Sequence, residues 1–267
     1  MVTPKKPELI LLAAVLSLLA VALIAPGITQ GAHHHAFADQ RVLRGIPFAM
    51  DVLSNLSFAL WGIAGAAGLH SLSRHSRLNT EHALAGLFFA GLLVTSAASA
   101  WYHLQPDDAG LGVDRLAMVI AFASLLGLAI SGRVSCRAGV AMFVVMAVLG
   151  ALSVGHWMTS GNVLPWLVFQ FGGMALVLSM AMLTPLPGAL AVRWGSVIAI
   201  YFVAKLLEVA DHQVFELTSG AVSGHSLKHL VASFAAWPVM AALVFKSGRT
   251  QNQGRIHLAN SDNSSAH

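Results

Sequence analysis

The sequence predicts an all-α, polytopic membrane helix bundle, in which a seven-helix core follows one N-terminal hydrophobic helix. Of the 267 residues, 57% are apolar and only 10% are charged, whereas a soluble domain carries about 25% charged residues. A surface so poor in charge suits lipid better than water. Apolar stretches of about 20 residues, the length of a bilayer span, recur along the whole chain and leave no room for a soluble domain.

Eight stretches qualify as spans: residues 8–25, 51–70, 82–103, 114–132, 138–156, 163–183, 191–211 and 225–245. Their connections are short and carry turn residues such as Pro106-Asp107-Asp108. Residues 1–27 are either a retained transmembrane helix or a signal segment, because Lys5 and Lys6 precede the apolar run. Residues 45–246 form the seven-helix domain, and the polar residues 247–267 are predicted to be a disordered cytoplasmic tail.

The distribution of Lys and Arg predicts the orientation in the membrane, since cytoplasmic loops carry an excess of both. Ten lie on one side (Lys5, Lys6, Arg74, Arg77, Arg133, Arg137, Arg193, Lys246, Arg249, Arg255) and four on the other (Arg41, Arg44, Arg115, Lys228). The first side, with the C-terminus, is therefore predicted to be cytoplasmic. The other side would face the periplasm in a bacterial inner membrane, or the exoplasmic or luminal space elsewhere.

Two classes of site are excluded by composition. The single cysteine, Cys136, allows neither an intramolecular disulfide framework nor a cysteine-rich metal site. Arginines are scattered one or two per loop, with no basic block interleaved with aromatic residues, so no nucleic-acid partner is indicated.

A set of polar residues at the non-cytoplasmic end of the predicted spans calls for a functional explanation. Ser99 and His103 end the third span with i, i+4 spacing, and His225 and His229 begin the last span with the same spacing. Asp114 begins the fourth span. Three imidazoles with an acid and a hydroxyl nearby are the parts of a catalytic zinc site, which keeps one position for water. Zinc lowers the pKa of that water to about 7, which gives a hydroxide nucleophile.

Each part of this set has a simpler explanation on its own. The histidine pairs suit capped or interfacial positions, and Asp114 suits a helix N-cap. Asp211 and Glu208, near the end of the seventh span, are either carboxylate partners of the ligand imidazoles or polar residues that reach the interface. The convergence of the set on one membrane face favours the metal site.

Other polar or aromatic residues at this end have ordinary interpretations. The run His33-His34-His35 lies in a loop, where histidine clusters bind metals adventitiously. Trp101 and Tyr102 suit the aromatic belt of a membrane protein. Asn55 suits an interhelical hydrogen bond.

The spacing of Ser-x3-His, then Asp, then a distant His-x3-His resembles the seven-helix membrane hydrolases that include alkaline ceramidases and the adiponectin/progestin receptor relatives. The resemblance covers roughly residues 45–245 and is greater to the alkaline ceramidases and their bacterial homologues. The residues that carry it are Asp51–Phe58, Ser99–His103, Asp114–Met118, Glu208–His212 and Ser223–His229.

The resemblance implies one zinc ion per chain, bound by His103, His225 and His229. It implies that Ser99 donates to the oxyanion of a tetrahedral intermediate and that Asp114 holds the zinc-bound water as base and then acid. The expected reaction is hydrolysis of an amide in a ceramide-like membrane lipid. The eukaryotic enzymes carry an acidic calcium-binding stretch before the first core helix, but Arg44–Met50 has no carboxylate, which argues against calcium dependence.

Two other functions remain open from the sequence. A membrane receptor or signalling protein with a structural zinc site would carry the same histidines without turning over a lipid. A haem-binding cytochrome would pair histidines from facing helices, but three candidates at one end suit haem poorly. A transporter is disfavoured, since the chain has neither broken midplane helices nor repeats.

Overall fold

The computed structural model describes residues 5–70 and 79–244, and these form an all-α bundle with no named β-strand. Seven helices are long and apolar enough to cross a membrane: α1 (Lys6–Ile24), α2 (Ala49–His70), α3 (Thr80–Leu104), α4 (Asp108–Ser131), α5 (Cys136–Ser160), α6 (Leu164–Ala181) and α9 (Gly224–Val244). Two more described helices, α7 (Trp194–Val209) and α8 (Asp211–Leu217), lie between α6 and α9. The predicted N-terminal helix and helical core are confirmed. The tail predicted for 247–267 lies outside the described residues.

Helix α7 is shorter than the span predicted for residues 191–211. It has 16 residues, against about 20 for a full crossing of the hydrocarbon core. The backbone leaves the helical conformation at Ala210, and α8 begins at the next residue, Asp211. This break places the Asp211 carboxylate beside the start of α9.

Side-chain caps fix where several core helices begin. Their N-cap residues, whose oxygens accept backbone N–H groups of the first turn, are Asn79 (α3), Asp107 (α4), Ser135 (α5) and Ser223 (α9). The fourth span was predicted to begin at Asp114, but α4 begins six residues earlier because Asp107 caps it. Asp114 therefore lies inside α4 and is not an N-cap.

Helix α4 occupies the centre of the bundle, between α3 and α5. A Cβ atom on Gly139 of α5 would lie 2.6 Å from the carbonyl oxygen of Gly127 in α4. Only a residue without a side chain permits this approach, and small residues at helix contacts are typical of membrane bundles.

Helix α1 lies at the periphery of the core. Leu11 is its only buried residue among those described. Its first turn is joined to the start of α5, where the Glu8 carboxylate accepts hydrogen bonds from Ser135 at 2.7 Å and from Arg137 at 2.6 Å. The exposed apolar face of α1 suits contact with lipid.

The segment 25–48, which we call the capping loop, covers the end of the bundle where α9 begins. Its buried Asp39 forms a bidentate ion pair with Arg41, with N–O distances of 2.8 and 2.5 Å. Arg41 also donates to the Ala221 carbonyl oxygen at 3.0 Å, and the Ala38 N–H donates to Asp211 at 2.9 Å. These bonds hold the loop against the α8–α9 connection.

Candidate metal centre

Three buried histidines from two helices meet beneath the capping loop. His103 lies in the last turn of α3, and His225 and His229 lie in the first turns of α9. One ring nitrogen from each lies within 4.8 Å of the others, and the Nε2 atoms of His103 and His225 are 3.2 Å apart. The three residues that the sequence nominated as metal ligands therefore lie together.

The hydrogen bonds of His229 leave one ring nitrogen free for a metal. The Ser54 hydroxyl donates to the Asp51 carbonyl oxygen at 3.0 Å, so its oxygen accepts from the Nδ1–H of His229, at 2.8 Å. This assignment leaves Nε2 with a lone pair. Within the described residues, this buried Nε2 has no hydrogen-bond partner. Such an atom is costly to bury, and a metal ion is a partner that fits it.

A cation lies beside the second ligand nitrogen. The Lys228 ammonium donates to Nε2 of His225 at 2.9 Å, so this nitrogen also presents a lone pair. Lys228 is 3.5 Å from the Glu208 carboxylate, which pairs with Lys205 as well. No sequence pattern indicated that Lys228 reaches the histidines.

The separation of one histidine pair is compatible with a tetrahedral zinc site. Zinc–nitrogen bonds of about 2.0–2.1 Å in a tetrahedral site place ligand nitrogens about 3.3–3.4 Å apart. The 3.2 Å separation of His103 and His225 is close to that value. One feature is unusual for a metal site. Ligand imidazoles normally donate their second N–H to a hydrogen-bond partner, but Nδ1 of His103 has no such partner in the described part of the chain.

Ser99 and Asp114 lie beside the histidines on the wall of one cavity. Oδ1 of Asp114 is buried without a partner among the described residues. The cavity has a volume of about 100 Å³ and also touches His229. From Ser99 it follows α3 to Phe88, a distance of about 16 Å at the rise of a helix. Its lining between these ends is mainly apolar.

A π-helical turn shapes the far side of this cavity. Residues Val168–Gly172 of α6 adopt the wider helix, a feature frequently found at functional sites. Gln170 in this turn donates to the Tyr201 hydroxyl of α7 at 2.7 Å, and both residues line the cavity. The cavity thus has a polar contact within its apolar wall.

The two carboxylates nominated as partners of the imidazole rings make different contacts. Asp211 accepts a hydrogen bond from the backbone N–H of His225 at 2.8 Å, so it supports this residue through the main chain. Glu208 balances the two lysines described above. The hydrogen bond to an imidazole ring that we expected from a carboxylate is made instead by the Ser54 hydroxyl, which contacts the ring of His229.

Two aromatic residues near the site were missed or misassigned from the sequence. Phe37 of the capping loop is buried, and its ring centre lies 4.7 Å from that of His103 and 4.5 Å from that of His225. An irregular loop has no periodicity that would mark such a residue. Tyr102 was assigned to the aromatic belt, but it is buried and its hydroxyl contacts Nδ1 of His35 at 2.7 Å.

No protein-family model matches this chain, and no curated protein matches it significantly. The resemblance to alkaline ceramidases therefore rests on the quoted sequence motifs alone.

Proposed function

We propose that this protein is a zinc-dependent membrane hydrolase that cleaves an amide bond in a ceramide-like lipid. The observation that carries the proposal is the meeting of His103, His225 and His229 beside an acid and a hydroxyl on an apolar cavity. Zinc, when bound by three histidines, acts as a Lewis acid and lowers the pKa of its water to about 7.

The roles of the two remaining residues follow from their chemistry. Asp114, with a carboxylate oxygen that has no partner among the described residues, would take a proton from the attacking water. The water oxygen bonds to the amide carbon, the C–N bond breaks, and Asp114 returns the proton to the leaving amine. Ser99 would donate its hydroxyl hydrogen to the carbonyl oxygen as negative charge develops there.

The cavity supports a lipid as the substrate. Its mainly apolar lining reaches from Ser99 towards Phe88, along the direction of the helices, which suits an acyl chain. A volume of about 100 Å³ is less than that of a cavity which holds benzene, about 150 Å³. Only part of a long acyl chain therefore fits, and the remainder would extend into the bilayer.

We infer that the site faces the periplasm of a bacterial inner membrane. Seven apolar helices are consistent with an integral membrane protein. Arg133 follows α4, Arg137 lies in the first turn of α5, and Arg193 precedes α7. All three lie at the end of the bundle opposite the histidines. The excess of positive charge on cytoplasmic loops supports this orientation.

The test is amide hydrolysis measured together with the metal content. Protein purified without a polyhistidine tag is analysed for zinc and incubated with a panel of N-acyl lipids, whose fatty-acid release is followed by mass spectrometry. We expect zinc-dependent release by the wild type. His103→Ala is expected to lose both zinc at this centre and activity, whereas Asp114→Asn is expected to keep zinc and lose activity by at least about 100-fold.

A matched control is His156→Ala, since His156 is an exposed histidine outside the cluster. It should retain both zinc and activity. Zinc bound at this centre without release of fatty acid from any N-acyl lipid would favour a receptor with a structural metal. The proposal would be overturned if the His103→Ala variant had the same zinc content and the same activity as the wild type.

A further inference from the structure

A second group of potential metal ligands lies on the outside of the capping loop. Among the described residues, one other cluster of His, Cys, Asp or Glu meets the same distance criterion as the buried histidines, and it consists of His34, His35 and Asp108. His34 and His35 belong to a turn of the capping loop, and Asp108 is the first residue of α4. Their side chains are 21%, 26% and 69% exposed, so metal ions reach them from solvent.

The contacts of His34 require a proton or a metal ion between its ring and Asp108. Its Nδ1 lies 2.7 Å from the Gly31 carbonyl oxygen, an acceptor, so Nδ1 carries a proton. In the neutral ring Nε2 then has only a lone pair. That nitrogen lies 2.9 Å from Oδ1 of Asp108, which is also an acceptor. Two acceptors at this distance repel each other unless a proton or a metal ion lies between them.

His35 directs its Nε2 at the same carboxylate oxygen. The distance from Nε2 of His35 to Oδ1 of Asp108 is 3.2 Å, and its Nδ1 is held by the Tyr102 hydroxyl at 2.7 Å. This second contact orients the ring, as the outer hydrogen bond of a metal-bound histidine normally does. His34 has the equivalent outer contact to Gly31.

We propose that His34, His35 and Asp108 bind a second divalent transition-metal ion, for which Zn²⁺ serves as the probe. Two imidazoles and one carboxylate suit this class of ion, whereas Ca²⁺ and Mg²⁺ prefer oxygen ligands alone. Tetrahedral bonds of about 2.0–2.2 Å require ligand separations of about 3.3–3.5 Å. The present separations of 2.9 and 3.2 Å reach this range with a movement of a few tenths of an ångström. Solvent takes the fourth position.

The ion would fasten the capping loop to the first turn of α4. Phe37, which covers the rings of His103 and His225, follows the cluster by two residues. Tyr102, which contacts His35, is the neighbour of His103 in α3. Occupancy of the outer site would therefore restrict the motion of the loop residue that lies over the buried histidines. This role is structural and does not depend on the protein being a hydrolase.

Zinc bound at the outer site is distinguished from zinc bound at the buried centre by measuring the zinc content of variants. The variants are made in the full-length protein and are purified through a tag without histidine. We expect the His34→Ala and Asp108→Asn variants to bind about one equivalent of zinc less than the wild type. In a His103→Ala background, which disrupts the buried centre, His34→Ala should remove the remaining equivalent. The matched control is His33→Ala, since His33 belongs to the same histidine run but not to the cluster.

A second measurement follows the loop itself. Added Zn²⁺ should slow backbone hydrogen exchange over residues 30–40 in the His103→Ala protein, and it should have no such effect once His34 is also replaced. Equal zinc loss in His33→Ala would show adventitious binding by the histidine run and would overturn the proposal. Unchanged zinc content in both His34→Ala and Asp108→Asn would overturn it as well, since a proton alone would then join His34 to Asp108.

Discussion

Ser54 in α2 accepts a hydrogen bond from Nδ1 of His229 in α9 at 2.8 Å, and its own hydroxyl donates to the Asp51 carbonyl oxygen. A backbone carbonyl thus fixes the direction of the Ser54 hydroxyl, and the hydroxyl fixes the tautomer of the imidazole. Nε2 of His229 is left as an acceptor beside the other two histidines. A residue in a different helix from the three histidines therefore sets the tautomer of His229 and leaves its Nε2 able to bind a metal.

The first prediction concerns this outer contact. Ser54→Ala is expected to weaken zinc binding by about 10- to 100-fold, the usual effect of removing the hydrogen-bond partner of a metal-bound histidine. The reason is that the ring of His229 loses the contact that selects its tautomer. The measurement is a zinc titration in competition with a chelator.

The control for Ser54→Ala is Ser233→Ala. Ser233 is also buried and lies in the same helix as His229, but its hydroxyl donates to the Leu230 carbonyl oxygen. Equal zinc affinity in Ser54→Ala and the wild type would show that this hydrogen bond does not prepare the ligand.

The second prediction concerns the cation beside His225. Lys228→Met should strengthen zinc binding, because an ammonium 2.9 Å from a ligand nitrogen repels a divalent ion and competes for the same lone pair. We expect an increase in affinity of at least about 10-fold, the equivalent of roughly 1.4 kcal/mol.

The comparison variant for Lys228→Met is Lys205→Met. Lys205 pairs with the same Glu208 carboxylate but makes no hydrogen bond to a histidine among the bonds described. Its removal should change zinc affinity less than the removal of Lys228. The explanation fails if the two variants bind zinc equally or if Lys228→Met binds it more weakly.

The helical parts of the site were accessible from the sequence, whereas the irregular parts were not. His225 and His229 share a helix face because of their i, i+4 spacing. Successive spans run in opposite directions, and this predicts that both residues lie at the same end of the bundle as His103. Ser54 precedes a break at Asn55 between two helical segments of α2, and Phe37 lies in a loop. Such positions follow from tertiary contacts rather than from a repeating pattern.

The errors in the sequence prediction have the same origin. The start of α4 was placed at Asp114 because the apolar run begins there, although the capping residue Asp107 extends the helix by six residues. Contact between Asp211 and an imidazole ring was one of the two interpretations, but the carboxylate accepts a backbone N–H instead, because α7 ends at Val209. The start of α4 and the direction of the Asp211 carboxylate both depend on short polar segments. The conformation of such segments is set by the elements packed around them.

The third prediction concerns the pH dependence of stability through the capping loop. The hydrogen-bonded guanidinium of Arg41 lowers the pKa of the Asp39 carboxyl below its usual 3.8, against the opposing effect of burial. A carboxyl with a lowered pKa in the folded state stabilises the protein above the unfolded pKa. This stabilisation is lost as the pH falls through the folded pKa. We therefore expect Asp39 to contribute to stability in full above about pH 4 and progressively less below it.

The measurement is the thermal unfolding midpoint of the wild type and Asp39→Asn between pH 3 and 7, in detergent with a chelator to remove metal effects. Asp39→Asn should have the lower midpoint at pH 7, and the difference should shrink below about pH 4. Glu216→Gln, on the exposed side of α8, serves as the control and should follow the wild type. A difference that stays constant across the pH range would contradict the assigned role of Asp39.

The last prediction concerns the close approach of α7 and α9 just before the first ligand of α9. A Cβ atom on Gly224 would lie 2.3 Å from the Leu207 carbonyl oxygen and 2.8 Å from Cα of Asp211. Both are backbone atoms, so the start of α9 must move to admit a methyl group. Gly224→Ala is therefore expected to destabilise the protein by about 1–3 kcal/mol and to lower zinc affinity by displacing His225.

The matched control for Gly224→Ala is Gly195→Ala, near the start of α7, where a Cβ atom meets nothing within 4 Å. Alanine is favoured over glycine by roughly 0.5–1 kcal/mol within a helix, so this control should match or exceed the stability of the wild type. The two variants add the same methyl group and differ in the space that receives it. Loss of zinc affinity in Gly224→Ala alone would therefore be attributable to the displaced helix start, whereas equal behaviour of both variants would show that this contact does not position His225.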